Sequence, residues 1–145
     1  MKHGLWILAI GATSLAPVSA RAQEAAVDSL ALARQYTQWL YAGEADSLLA
    51  HSTDETRVDD PQGDGFTRLS RMIADHAGFE LEVSEETWKL RNGDCQYWRT
   101  AQFSDMEEPL LVRWVLDPQG RIEGMGAGPW TQAPPVEAEM CGPAG

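Results

Sequence analysis

The chain has 145 residues, of which 22 are acidic and 11 are basic, and its formal net charge at pH 7 is −11. Such an acidic chain lacks the basic surface that binding to nucleic acid or to an anionic membrane requires. Its length suits one domain with a real hydrophobic core, because domains typically run to about 100–150 residues.

Residues 1–22 have the three-part layout of a secretory signal peptide. Lys2 opens the segment, an apolar run from Leu5 to about Leu15 follows, and Ala20-Arg21-Ala22 closes it. The apolar run is shorter than the roughly 20 residues that span a bilayer, which argues against an uncleaved anchor. We therefore expect cleavage at the end of this segment and export to the periplasm or the medium, with no membrane attachment afterwards.

Three helices are predicted in the first half of the remaining chain. Apolar residues recur at helical spacing from Ala25 to Ala42. A short helix from Asp46 to about His51 follows, and the segment from Ser52 to Gly63 is polar and turn-like. Asp64 can cap a third helix, which runs from Phe66 to Ala77.

The second half of the chain is predicted to form strands: its first segment, Glu80 to Leu90, alternates between apolar and polar residues, and Leu110 to Leu116 is apolar on both faces. The apolar residues of its first segment switch sides near Ser84–Glu86, which predicts a bulge. Asn92-Gly93-Asp94 predicts a hairpin turn, and the proline-containing residues 131–145 predict an irregular tail. The four predicted strands are Glu80 to Leu90, Gln96 to Phe103, Leu110 to Leu116 and Arg121 to Gly128.

Helices followed by an antiparallel meander predict an α+β domain over residues 23–130. The three N-terminal helices are expected to pack on one face of a curved four-stranded antiparallel sheet. This arrangement is a cone whose open end suits a small-molecule pocket.

The two cysteines of the chain, Cys95 and Cys141, both lie in the exported part. An even number of cysteines in an oxidising compartment permits a disulfide, which would hold the tail against a strand. The alternative is two free thiols, since the spacing alone does not show whether the two Cα atoms come within bonding reach.

The C-terminal half contains the stretches QYWRTAQF and LLVRWVLDPQGRIEGM, with a Gly-Pro after them. The chain as a whole resembles the nuclear transport factor 2-like superfamily, the cone fold that includes ketosteroid isomerases and polyketide cyclases. The C-terminal stretches look most like a family of exported bacterial domains of unknown function within that superfamily. The resemblance covers nearly all of the domain and implies a cone fold, with dimerisation through the sheet as a frequent property.

The N-terminal half is more similar to the ketosteroid isomerases. Their segment ending in Val-Glu-Asp-Pro runs in register with AGEADSLLAHSTDETRVDDPQG of this chain. This alignment places Asp60 on the catalytic base and Tyr36 on the oxyanion-hole tyrosine. The second oxyanion donor, an aspartate, falls on Val112, and loss of one such donor costs about 10²–10³-fold in rate. The alternative is that Asp60 is a turn carboxylate and that Tyr36 is a core tyrosine.

Arg99 is a candidate for ligand binding, because it has the same parity as Tyr97 and Phe103 on its strand. On the concave face it would clamp a carboxylate or another anionic ligand, or else form a structural ion pair. Gly124, Gly126 and Gly128 leave a strip of the last strand without side chains, which makes room for a ligand or for a close-packed helix.

Three tryptophans, Trp98, Trp114 and Trp130, are candidates for lining a pocket, the core or a dimer face. His51 and His76 have no ligand-like spacing, so no metal site and no cofactor are predicted.

Three functions are compatible with these features. The first is an exported, non-catalytic domain that binds a small apolar or anionic ligand, or a partner protein. The second is an isomerase- or cyclase-like enzyme with Asp60 as general base and Tyr36 as oxyanion donor. The third is a homodimeric scaffold that associates through the sheet. We expect the first, and both the first and the second call for a hollow inside the cone.

Overall fold

A computed structural model describes residues 18–135 and 138–141, with the side chains described from Ser29 onward. The predicted signal peptide, residues 1–22, lies for the most part outside this range. No helix among the described residues has the length and apolar character needed to cross a membrane.

The described part of the chain is an α+β structure, as predicted. It has four α-helices, Val18–Ala42 (α1), Ala45–Ala50 (α2), Asp54–Asp59 (α3) and Asp64–His76 (α4). One antiparallel sheet follows in the order β1-β2-β3-β4, with strands Glu80–Arg91, Asp94–Phe103, Leu110–Leu116 and Ile122–Pro129. A single turn of 3-10 helix, Trp130–Gln132, follows the last strand.

The expectation of three helices was wrong by one, because the turn-like segment from Ser52 to Gly63 contains α3. Thr53 is the N-cap of this helix, and its hydroxyl accepts a hydrogen bond from the Thr56 N–H at 3.3 Å. The acidic first turn, with Asp54 and Glu55, also suits the positive end of the helix dipole. The helix buries no side chain, so it has no apolar periodicity by which the sequence would indicate it.

The turn and bulge predicted for the first hairpin are confirmed. Asn92 and Gly93 both have positive φ, 54° and 87°, as a two-residue hairpin loop with left-handed residues requires. The register of β1 against β2 shifts between Val83 and Glu85, next to the predicted bulge, and shifts a second time between Glu80 and Glu82.

The core lies between α1 and the inner face of the sheet. Its large side chains include Tyr36 and Leu40 from α1, Tyr97 and Phe103 from β2, and Trp114 from β3, each at most 2% exposed. None of these side chains lines any of the five cavities characterised in the described part of the chain. The centre of the domain, where the sequence led us to expect a hollow, is therefore occupied by packed aromatic rings.

The C-terminal tail is fastened to the edge of the sheet. Cys95 and Cys141 form a disulfide, with their Cα atoms 5.9 Å apart. Next to it, the Leu90 N–H donates to the Glu139 carbonyl at 2.9 Å and the Cys141 N–H donates to the Trp88 carbonyl at 3.2 Å. The tail thus pairs with the outer edge of β1, and the disulfide that the cysteine count permitted is confirmed.

Replacing Cys141 with serine should lower the free energy of unfolding by about 2–4 kcal/mol, because the bond closes a loop with a sequence separation of 46 residues in the unfolded chain. Urea unfolding at fixed pH measures this difference. Dithiothreitol should bring the wild type to the stability of the variant and leave the variant itself unchanged. Equal stability of the oxidised wild type and the variant would contradict the prediction.

Candidate functional site

Tyr36, the predicted oxyanion donor, lies in the core of the domain. Its hydroxyl donates a hydrogen bond to the Gly120 carbonyl in the β3–β4 turn at 2.7 Å. Burial, and then the charge of Asp117, raise the pKa of the Tyr36 phenol. The hydroxyl is therefore used to hold α1 against the β3–β4 turn.

Asp60, the predicted general base, lies between α3 and α4 and caps the second of these helices. Its Oδ1 accepts from the Asp64 N–H at 2.9 Å, and its Oδ2 accepts from the Gly65 N–H at 2.8 Å. A Cβ at Gly65 would come within 2.9 Å of Oδ2, so the close approach depends on glycine. Both carboxylate oxygens are thus engaged at the start of α4, where a negative charge is favourable.

The structure does not bring Tyr36 and Asp60 together around a cavity. Neither residue lines any of the five cavities characterised in the described chain. Val112, at the position of the second oxyanion donor in the resemblance, is a buried core residue. The residues that the ketosteroid isomerase resemblance singles out are thus occupied in cap and core contacts.

Arg99 lies on the inner face of the sheet, as its parity predicts, and pairs with two glutamates of β1. Its Nε and Nη2 donate to the two carboxylate oxygens of Glu80 at 3.0 and 2.6 Å, a two-pronged contact. Its Nη1 donates to Glu86 Oε1 at 3.0 Å. Of the two alternatives for an inward Arg99, a clamp for an anionic ligand and a structural ion pair, the structure shows the ion pair.

Side chains from α1 extend this network from the other side. The Arg34 guanidinium donates to both oxygens of Glu86, with the closest contact at 2.5 Å. The Tyr41 hydroxyl donates to Glu80 Oε2 at 3.0 Å, and the Tyr97 hydroxyl donates to Glu86 Oε1. Two arginines, two carboxylates and two phenols therefore join α1 to β1 and β2 at one end of the domain.

The contacts of this network shift the pKa values of several of its members. Hydrogen bonds from Arg34 are the main reason that the pKa of Glu86 is lowered. Burial is the largest single influence on Arg99 and acts against its charge, but the hydrogen bonds and charges of Glu80 and Tyr97 together outweigh burial and raise the pKa. Burial and the neighbouring carboxylate raise the pKa of Tyr41, so its phenol stays protonated and acts as a donor.

An open cleft of about 470 Å³ lies over this network, and we call it the Arg99 cleft. Its walls come from α1 on one side and from β1 and β2 on the other. The residues that line it are Arg34, Thr37, Gln38, Tyr41, Glu80, Val83, Glu86 and Arg99. Of the residues predicted to bind a ligand, Arg99 is the one that lines this cleft.

The three candidate tryptophans lie in three different environments. Trp114 is in the core, where its indole N–H donates to the Thr37 hydroxyl at 2.9 Å. Trp98 is on the outer face of the sheet, buried beside the tail residues Ala133 and Pro134. Trp130 is 46% exposed, and its indole N–H donates to Glu108 at 2.7 Å.

Sequence reasoning missed the partners of Arg99. Glu80 and Glu86 lie on either side of two register shifts in β1, so their common face follows only from the register with β2. Arg34 and Tyr41 sit seven positions apart on α1, which places them on one side of the helix. Among the described residues, no group of three or more histidine, cysteine or acidic side chains is arranged to hold a metal ion.

Replacing Asp60 with alanine should lower the stability of the domain by about 0.5–2 kcal/mol, because two N–H groups at the start of α4 lose their acceptor. The neighbouring exposed Asp59, replaced in the same way, should change stability by no more than about 0.5 kcal/mol. Thermal and urea unfolding compare the two variants, and an equal effect of both would rule out the capping role.

Replacing Arg34 with glutamine should move the acid-unfolding midpoint to higher pH. The lowered pKa of Glu86 means that this carboxylate stabilises the fold above its ordinary pKa and loses that contribution as the pH falls through its lowered folded value. Without Arg34 the folded pKa of Glu86 rises, so the loss begins at higher pH. The far-ultraviolet circular dichroism signal, followed from pH 7 to pH 2, measures the midpoint.

Arg68→Gln is the matched control, since Arg68 is exposed on α4 and forms no ion pair among the described residues. An equal shift of the midpoint in both variants would show that only the net charge matters.

Comparison with known proteins finds no matching family model, no matching curated protein and no matching solved structure.

Proposed function

We propose that this protein is an exported, non-catalytic domain of the nuclear transport factor 2-like type that binds a small ligand in the Arg99 cleft. The hollow expected at the centre of the domain is filled, so the proposal rests instead on this cleft, which has a volume of about 470 Å³ and charged groups converging on its floor. Ligand sites commonly have volumes of about 300–1,000 Å³ and a few well-placed polar groups.

The charges of the cleft suggest the chemistry of the ligand. Arg34 and Arg99 face Glu80 and Glu86, so the four charges cancel. A singly charged ligand would leave one charge of this balanced set unpaired, which is costly in a partly buried site. A ligand that carries both signs, such as a free amino acid or the end of a short peptide, can exchange contacts with both kinds of group.

The positions of Tyr36 and Asp60 support a binding role over proton transfer. The phenol of Tyr36 is tied to a backbone carbonyl, and both oxygens of Asp60 accept backbone N–H groups. A general base must reach the proton that it removes, and these contacts hold the carboxylate at a helix end. The signal-peptide layout and the Cys95–Cys141 disulfide support export, because disulfides persist in oxidising compartments.

Native mass spectrometry of the protein purified from its own host is the broadest test, because a retained ligand would be identified by its mass. Isothermal titration with glycine, alanine and dialanine, set against acetate and methylammonium, tests the charge argument. We expect heat from the probes that carry both charges. Binding of acetate alone would show that an anion site is present instead, and no binding of any probe by either method would count against the proposal.

Replacing Gln38 with tryptophan should weaken binding about tenfold or more, since Gln38 is exposed on α1 and lines the cleft, where an indole would occupy the volume of the ligand. Thr67→Trp is the matched control, because Thr67 is exposed on α4 and is not among the residues that line the cleft. Equal weakening by both variants, measured by the same titration, would place the ligand elsewhere.

A further inference from the structure

Lys89 is a buried cation on the outer face of β1. It is 5% exposed, and its Nζ donates to the Pro135 carbonyl of the tail at 3.2 Å. Among the described residues, no carboxylate forms an ion pair with it. An ammonium group has three N–H donors, and a buried charge ordinarily has a compensating charge. The carbonyl supplies one acceptor and no countercharge.

Trp98, on the neighbouring strand, is a second buried donor without an acceptor. It is 3% exposed, and its indole N–H has no hydrogen-bond partner among the described residues. Buried N–H groups in folded proteins are nearly always satisfied by protein, water or an ion, because a lost hydrogen bond is not offset elsewhere. The charged Lys89 ammonium and the neutral Trp98 indole N–H both call for a further hydrogen-bond acceptor.

Lys89 and Trp98 line the same small void between the sheet and the tail. The other lining residues are Glu85, Thr87, Thr100, Ala133 and Pro134. The void is small, with a volume of about 10 Å³. Glu85 is exposed and forms no ion pair with Lys89 among the described residues, so its carboxylate does not neutralise the ammonium.

Two further cations raise the positive potential of this face. The guanidinium carbons of Arg91 and Arg113 lie 5.1 and 5.8 Å from the centre of the Trp98 ring, and neither arginine has an ion-pair partner in the described chain. Gly126 makes room for the second, since a Cβ there would come within 3.3 Å of Arg113 Nη2. Part of the glycine strip of the last strand is thus filled by a cation.

We propose that this void is a binding site for one halide ion, which under physiological conditions is chloride. The ion accepts hydrogen bonds from the Lys89 ammonium and the Trp98 indole N–H, and the tail residues Ala133 and Pro134 cover it. A water molecule would satisfy the indole but leave the charge of Lys89 uncompensated. The ion therefore fastens the tail to the sheet beside the disulfide.

Thermal unfolding of the intact, oxidised protein tests this site. At constant ionic strength, replacing gluconate with chloride up to about ten times its Kd should raise the Tm by about 5 °C. Bromide should act in the same way. Equal Tm values in gluconate, chloride and bromide would overturn the proposal.

Three variants distinguish this site from a general salt effect. Lys89→Met should abolish the chloride dependence of the Tm. Glu85→Gln should keep this dependence, and the rise in Tm should occur at a lower chloride concentration, because a nearby negative charge is removed. If Lys89→Met does not fold, Trp98→Phe should weaken the dependence by removing one donor. An undiminished chloride effect in the folded donor variants would overturn the assignment. In crystals grown in bromide, an anomalous-scattering peak in the void supports the proposal, and its absence contradicts it.

Discussion

The contact of α1 with the inner face of the sheet organises the whole domain. Two hydrogen bonds fix it, from the Tyr36 hydroxyl to the Gly120 carbonyl and from the Trp114 indole to the Thr37 hydroxyl. They lie among aromatic rings, with the centres of Tyr36 and Trp114 5.8 Å apart. Because buried polar groups must be paired, these bonds select one position of the helix against the sheet. The position of α1 in turn brings Arg34 and Tyr41 to the edge of β1.

The same contact explains why the described part of the chain has a cleft at one end and aromatic side chains packed at its centre. Large side chains from α1, β2 and β3 fill the space between the layers. Toward the start of β1 the apolar layer gives way to the network around Arg99. There the charged side chains satisfy one another and leave an open space above them. Tyr36 and Asp60 are engaged in contacts that stabilise the fold. The polar groups proposed to bind ligands therefore lie at this end of the domain and on the outer face of the sheet.

The outer face of the sheet depends on a different constraint, the attachment of the tail. The disulfide and the pairing with the outer edge of β1 bring residues 133–135 across Trp98 and Lys89. The tail thereby covers an edge strand and a tryptophan that would otherwise be exposed, and uncovered edges are prone to unwanted pairing. It also buries a cation, and this creates the demand for a countercharge.

What the sequence determined by itself is local. The helical period of α1, the nearly continuous apolar run of β3 and the Asn-Gly turn of the first hairpin each follow from neighbouring residues, and the structure has all of them. A short helix such as α3, which buries nothing, leaves no such signal. The tertiary structure alone decided that Glu80 and Glu86 meet Arg99, that Tyr36 is tied to a turn 84 residues away and that Lys89 lies under the tail. These contacts depend on strand register, bulges and the path of the tail, which are set by packing between distant segments and not by the residues adjacent in the chain.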